Sequence, residues 1–135
     1  RRTPFQHHVG VHAGLHNPAF VRGLMSPTSP LEQRRRAAWI YAQGAPQIYN
    51  GDLAFYSDAF DGAEVGPRID AVRTPVALLC GTYDYSATPE DGARLAALIP
   101  GAYLRVMDGL GHFPMCEHPD LFRPHLLAAL DHVTA

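Results

Sequence analysis

The hydrophobic pattern changes near residue 66. Residues 1–66 contain short amphipathic stretches separated by Pro, Gly and Asn, and no run that is typical of a β-strand. Residues 67–135 contain two short apolar runs, at 76–80 and 102–107, and a stretch with helical periodicity follows each run. An apolar run without alternation is typical of a strand that is buried on both faces, as in parallel sheets. We therefore expect a helical segment followed by an α/β segment.

Capping residues predict the N-terminal helices. Asn17, with proline after it, is expected to begin a short first helix. Ser29 and Glu32 form a capping box for a second helix, which Gly44 is expected to end in the left-handed conformation. A third helix is expected over residues 46–56. Short helices that are rich in aromatic residues and lack strands are typical of a lid over a site.

The second segment is expected to form a strand–helix–strand–helix unit. Thr88 before Pro89 predicts the start of the helix between the strands, and Pro119 predicts the start of the last helix. Such a pair of parallel strands has a right-handed crossover. Two strands alone do not make a stable sheet. We therefore expect other sequence, or a second copy of the chain pairing through an exposed strand edge, to complete the sheet.

Composition narrows the class of protein. Of 135 residues, 47% are hydrophobic and 18% are charged, which is typical of a packed globular protein. The net charge of −2 with mixed signs gives no basic stripe and argues against a nucleic-acid partner. No apolar run is long enough to span a membrane and nothing resembles a signal peptide, so a cytoplasmic location is expected. Cys80 and Cys116 lack metal-type spacing and are expected to be buried or unreactive.

Histidine spacing suggests a metal site and the surrounding residues argue against it. His8, His12 and His16 would share one face of a helix. Gly10 and Gly14 weaken any helix there, and no nearby carboxylate completes a ligand set. Histidines that lie in a loop or line a pocket are the favoured interpretation, and no metal is expected.

Two polar residues follow the two predicted strands. Asp84 comes after the first strand and Gly81, and His112 comes after the second strand and the loop Gly109-Leu110-Gly111. The carboxyl ends of parallel strands meet at one edge of a sheet, so these side chains are expected to lie together. An aspartate that accepts a hydrogen bond from a histidine ring fixes its tautomer and stabilises the imidazolium. Glu117 is expected only to stabilise the start of the last helix.

From about residue 74 to its end the chain resembles the C-terminal third of an α/β-hydrolase. The resemblance implies that Asp84 is the triad acid, that His112 is the triad base, and that residues 1–66 are a helical cap on a core formed by residues 67–135. It also implies the C-terminal portion of that α/β fold, with two parallel strands and flanking helices. The motifs that carry it are Thr74-Pro75, Gly81-Thr82-Tyr83-Asp84, Gly109-Leu110-Gly111-His112-Phe113-Pro114 and Glu117-His118-Pro119-Asp120-Leu121-Phe122.

The superfamily's nucleophile is missing from this sequence. It lies in a Gly-x-Ser-x-Gly turn before the acid and the base, and Ser26, Ser29, Ser57 and Ser86 all lack the flanking glycines. The resemblance thus implies a C-terminal fragment of a serine hydrolase that cleaves an ester, amide or related acyl bond of a small molecule without a cofactor. C–C hydrolases, epoxide hydrolases and haloperoxidase-like members share these parts, so the substrate stays open. The alternative is a non-catalytic binding or dimerisation module that retains the fold.

Overall fold

The computed structural model describes residues 11–44, 48, 51–52, 54–56 and 60–135, without the side chains of residues 11–17. The third helix expected over residues 46–56 falls largely outside this description. None of the described helices has the length and apolar character needed to cross a bilayer. The elements are α1 (Val11–Leu24), α2 (Leu31–Tyr41), α3 (Gly62–Val65), a 3₁₀ turn (Gly66–Arg68), β1 (Ala77–Gly81), α4 (Pro89–Leu98), β2 (Tyr103–Met107), α5 (Pro114–Glu117) and α6 (Pro119–Thr134).

The second half of the chain forms the predicted α/β unit. β1 and β2 are parallel neighbours, with Ala77 opposite Tyr103 and Gly81 opposite Met107. Helix α4 connects them, and α6 follows β2 after the short helix α5. The prediction of two parallel strands with flanking helices is confirmed.

The two long helices of this unit cover opposite faces of the sheet. On one face Cys80 packs under α4 so closely that a Cβ on Gly92 would collide with its Sγ. On the other face the ring of Tyr103 stacks on His132 of α6, with centroids 5.0 Å apart. Alternate residues of a strand point to opposite faces, so the sheet lies between α4 and α6.

The sheet is only partly buried, contrary to the expectation of a strand buried on both faces. In β1 only Gly81 is buried, and the four residues before it are half-buried. Leu127 and Leu130 of α6 are 49% and 45% exposed. The physical reason is that, among the described residues, β1 has β2 as its single neighbouring strand. The other edge of β1 is therefore unpaired within the described chain.

Helices α1 and α2 form their own small core and also pack on the second half. Buried Val21 and Met25 of the first helix and its following loop pack against Ala38 of α2. Phe113 and Cys116, which follow β2 in sequence, pack against this cluster. The helical segment is thus joined by side-chain packing to the loop that carries His112.

Helix α1 differs from its prediction at the N-terminal end. It begins at Val11, ahead of Asn17, so Pro18 lies inside the helix. A proline there removes one backbone donor. The C-terminal half of the helix buries Val21 and Leu24. This packing stabilises the part of the helix that the cap at Asn17 predicted.

Helix α2 has neither of its predicted caps. Pro30 is its N-cap and no side chain caps it, so the capping box of Ser29 and Glu32 is wrong. The Ser29 hydroxyl donates instead to Glu117, 3.0 Å away. Gly44 has no positive φ, and the helix ends through Ala42 in the right-handed conformation. The Ser29 hydroxyl does not cap the helix because it is hydrogen-bonded to Glu117, which is distant in sequence.

Helix α4 has the cap that was predicted, and the cap can be tested. The Thr88 hydroxyl oxygen accepts the Asp91 N–H at 3.2 Å, and the Asp91 carboxylate accepts the Thr88 N–H at 3.0 Å. Thr88→Ala removes the side-chain acceptor, so the free energy of unfolding should fall by about 1 kcal/mol in urea titration. Thr88→Ser keeps the hydroxyl and is the matched control. Equal stability of the two variants would contradict this account.

Candidate active site

The loops after β1 and β2 bring Asp84 and His112 into contact. Nδ1 of His112 lies 2.7 Å from Oδ2 of Asp84. The Asp84 side chain is 8% exposed and the imidazole is 35% exposed, so the carboxylate lies behind a half-buried ring. A carboxylate beside Nδ1 assigns the proton to that nitrogen. The second ring nitrogen, Nε2, is then the atom available to exchange a proton with another group.

Asp84 is oriented by its own turn. Its Oδ1 accepts the N–H groups of Ser86 at 2.8 Å and Ala87 at 3.1 Å. Its backbone N–H donates to the Gly81 carbonyl at 3.2 Å. One carboxylate oxygen therefore holds the loop and the other meets His112, which restricts the carboxylate to one orientation.

The two loops are also connected by hydrogen bonds from backbone N–H groups. The Tyr83 N–H donates to the Leu110 carbonyl at 2.9 Å, and the Gly109 N–H donates to the Thr82 hydroxyl at 3.0 Å. Gly109 has a φ of 75°, in the left-handed region that favours glycine. This turn reverses the chain after β2 and returns it toward the end of β1, which places His112 beside Asp84.

The backbone of His112 contacts the helical segment directly, and its ring is connected to that segment through Phe113. The His112 N–H donates to the Leu24 carbonyl at 2.9 Å. The Phe113 ring meets the imidazole edge to face, with centroids 4.8 Å apart, and the Tyr41 ring contacts Phe113 in turn, with centroids 5.9 Å apart. His112 therefore lies where the sheet loops and the helical segment converge.

Glu117 has a larger role than sequence reasoning assigned to it. It is fully buried at the end of α5, so the expectation that it stabilises the start of the last helix is wrong. Its Oε2 accepts the Ser26 N–H at 2.6 Å and the Ser29 hydroxyl at 3.0 Å. Its Oε1 accepts the N–H groups of Gly111 at 3.0 Å and Phe113 at 3.2 Å. A single acid gives no periodic pattern, and its partners at Ser26 and Ser29 are distant in sequence.

Cys80 is a poor candidate for a nucleophile. Burial raises the pKa of its thiol, and the negative charges of Asp84 and Asp91 raise it further. The thiolate is the nucleophilic form of cysteine, and a raised pKa makes it scarce at neutral pH. The expectation of an unreactive Cys80 agrees with this environment.

An open cleft of about 460 Å³ lies beside Asp84. Tyr83, Tyr85 and Val106 contribute to its walls, whereas His112 does not. Those three side chains are 43%, 57% and 44% exposed, so the cleft is an accessible surface rather than a closed pocket. The described residues therefore place the acid at the rim of a cleft, and they do not enclose a substrate around the histidine.

No metal site is visible in the described part of the chain, where no three His, Cys, Asp or Glu side chains converge. This finding does not cover the three histidines that are spaced four residues apart in the sequence. His8 is not described, and only the backbone of His12 and His16 is described.

Two curated proteins are among those similar to this chain. Over 76 residues it is 33% identical to the polyketide synthase ThaQ of Burkholderia thailandensis, a match to 56% of this chain and 4% of the synthase. Over 113 residues it is 28% identical to 2-hydroxy-6-oxononadienedioate/2-hydroxy-6-oxononatrienedioate hydrolase 1 of Dechloromonas aromatica, a match to 84% of this chain and 38% of that hydrolase. No protein-family model matches the chain.

A solved structure shows the fold. Est816, described as an N-acyl homoserine lactone degrading enzyme, matches with a TM-score of 0.63 at 22% identity. The match covers 92% of this chain and 53% of Est816. This chain therefore spans about half the length of the solved relative, and less of the two curated ones.

The contact between the two strand-end loops can be tested at Gly81. A Cβ there would lie 2.6 Å from the Gly111 carbonyl oxygen and still closer to that of Leu110, and both are backbone atoms that cannot rotate away. Gly81→Ala should therefore lower the free energy of unfolding by about 1–3 kcal/mol. Gly51→Ala is the control, because a Cβ there meets nothing within 4 Å. Equal thermal unfolding of the two variants would rule out the close approach.

Proposed function

We propose that this chain supplies the acid and the base of a serine hydrolase of the α/β-hydrolase superfamily; it has the fold of the C-terminal portion of such an enzyme. Asp84 is the acid and His112 is the base. The nucleophilic serine comes from the N-terminal part of the same fold. The substrate is a small molecule with an ester, amide or related acyl bond, and the chemistry needs no cofactor.

The proposed steps follow from the two ring nitrogens. Nε2 of His112 takes the proton from the serine hydroxyl while the serine oxygen bonds to the acyl carbon. His112 then gives this proton to the leaving group as the acyl bond breaks. In the second half of the reaction, water gives a proton to Nε2 and bonds to the acyl carbon. The serine oxygen then leaves with that proton, which releases the acid product. Throughout, Asp84 accepts the Nδ1–H, which keeps the imidazole in the correct tautomer and stabilises its positive charge.

One observation carries the proposal: Oδ2 of Asp84 and Nδ1 of His112 lie 2.7 Å apart at the carboxyl ends of adjacent parallel strands. Functional residues of open parallel sheets lie just beyond the carboxyl ends of the strands. The names of two relatives agree with a hydrolytic reaction, since one is a hydrolase and the other degrades a lactone.

The unpaired edge of β1 supports the proposed partner. Two strands alone do not make a stable sheet, and among the described residues β1 is paired on one side only. We propose that the strand beside it belongs to the N-terminal part that carries the serine, and that residues 1–66 serve as the cap over the assembled site. Cytoplasmic location remains a prediction.

The same edge favours a second candidate function, a dimerisation module. A second copy of the chain would pair through β1 and cover the exposed leucines of α6, among them Leu127 and Leu130. Sedimentation velocity distinguishes the two candidates. A dimer that persists at micromolar concentration favours the module, and a monomer favours an edge reserved for the N-terminal part.

Without the serine, this chain should not turn over an acyl substrate. With a p-nitrophenyl ester, we expect only slow background hydrolysis of the ester, catalysed by surface imidazoles. The rate of this hydrolysis should be nearly the same in His112→Gln. His132→Gln, at an exposed histidine of α6, is the matched control. Multiple-turnover hydrolysis that is lost in His112→Gln and kept in His132→Gln would show that this chain contains its own nucleophile, against the proposal.

In the protein that joins this chain to the serine-bearing part, Asp84→Asn should lower kcat on the order of 10⁴-fold. The asparagine keeps a carbonyl oxygen for the turn but presents an amide N–H to Nδ1, which forces the proton onto Nε2. Circular dichroism should show an unchanged fold. Unchanged turnover would remove Asp84 from the acid role, whatever the variant's stability.

A further inference from the structure

The Glu117 carboxylate bridges two separate segments of the chain, the loop between α1 and α2 and the segment that contains His112. Oε2 accepts from Ser26 and Ser29, which lie in the loop between α1 and α2. Oε1 accepts from Gly111 and Phe113, the residues immediately before and after the histidine. All four partners donate, so both oxygens act only as acceptors. A buried carboxylate is stable only when such donors replace its hydration.

The two segments approach as closely as backbone atoms allow. A Cβ on Gly111 would lie 2.8 Å from the Ser26 nitrogen and 2.9 Å from the Glu117 Oε1, and closer still to the Leu24 carbonyl oxygen. The His112 N–H donates to that same Leu24 carbonyl at 2.9 Å. The backbone of the base is therefore held against the end of α1, and Glu117 supplies the acceptors that close this junction.

We propose that Glu117 is a positioning residue for His112: its carboxylate locks the α1–α2 loop onto the Gly111–Phe113 backbone and so holds the imidazole on Asp84. Its relevance to catalysis rests on the function proposed above. The positioning itself is a property of this chain and can be measured without turnover. The same carboxylate also connects the helical segment to the base, so a displacement of the α1–α2 loop is expected to reach the imidazole.

Two substitutions at Glu117 separate the carboxylate from the space it fills. Glu117→Gln keeps the shape but turns one acceptor into an NH₂ group, which must face at least one of the backbone N–H donors. Glu117→Leu removes every acceptor and leaves all four donors unpaired. Glu64→Gln, at an exposed acid of α3, is the control. If Glu117→Leu does not fold, Glu117→Gln and Ser29→Ala carry the test.

The first readout is amide hydrogen exchange at His112 compared with Tyr103, whose N–H donates to Val76 in the sheet. The His112 amide does not itself bond to Glu117, so it reports the junction and not the lost acceptor. We expect about tenfold faster exchange at His112 in Glu117→Gln, more in Glu117→Leu, and a much smaller change at Tyr103. An equal factor at both amides would mean that Glu117 provides only global stability, and would overturn the proposal.

The second readout is the pair of ring ¹⁵N shifts of His112. In the wild type and in Glu64→Gln they should show one tautomer, protonated at Nδ1, and in the Glu117 variants they should move toward the average of the two tautomers. Unchanged ring shifts in a variant with accelerated His112 exchange would overturn the link to Asp84. Neither readout depends on hydrolysis. If both succeed while Asp84→Asn leaves turnover intact, the proposed function fails and the positioning role stands.

Discussion

The hydrogen bond between Asp84 and His112 is the contact on which the local structure of this site depends. Its two residues come from different strand-end loops, and their atoms lie 2.7 Å apart. That distance requires both loops to turn sharply and to pass within backbone contact of each other. Gly81 makes the contact possible by having no side chain, and Gly109 makes the turn possible by adopting a positive φ. The contact between the two side chains therefore constrains the backbone of both loops.

Two buried acids flank the histidine, and they are used differently. Asp84 gives one oxygen to its own turn and the other to the imidazole, so its charge acts on the ring. Glu117 gives both oxygens to backbone and hydroxyl donors, so it acts on the chain that carries the ring. His112 is thus held at its side chain by one carboxylate, and the backbone on either side of it is held by the other. This division explains why the helical segment and the sheet loops meet at His112.

Sequence patterns predicted the features that arise from local or nearest-neighbour rules. The two parallel strands, the Thr88 cap of α4 and the meeting of Asp84 with His112 all follow from apolar runs, capping chemistry and the shared edge of a parallel sheet. The patterns failed where a distant group decided the outcome. Ser29 looked like a helix cap, but Glu117 binds its hydroxyl from the other half of the chain.

The hydrophobic pattern also overestimated the burial of β1, again because burial depends on distant parts of the structure. An apolar run indicates that a strand can be buried on both faces, whereas the extent of burial depends on neighbouring strands, and the described residues supply one for β1. β1 is half-buried over most of its length. Under the proposed function, one partner for β1 would both pair with its exposed edge and bring the serine to His112.

A double-mutant cycle between Asp84 and His112 tests the central claim, that these side chains act as one unit. The free energy of unfolding is measured by urea titration for the wild type, Asp84→Ala, His112→Ala and the double variant. A hydrogen bond between the carboxylate and Nδ1 predicts a coupling energy of about 1 kcal/mol or more. Effects that add to within about 0.3 kcal/mol would show that the two groups do not interact, and would contradict the account.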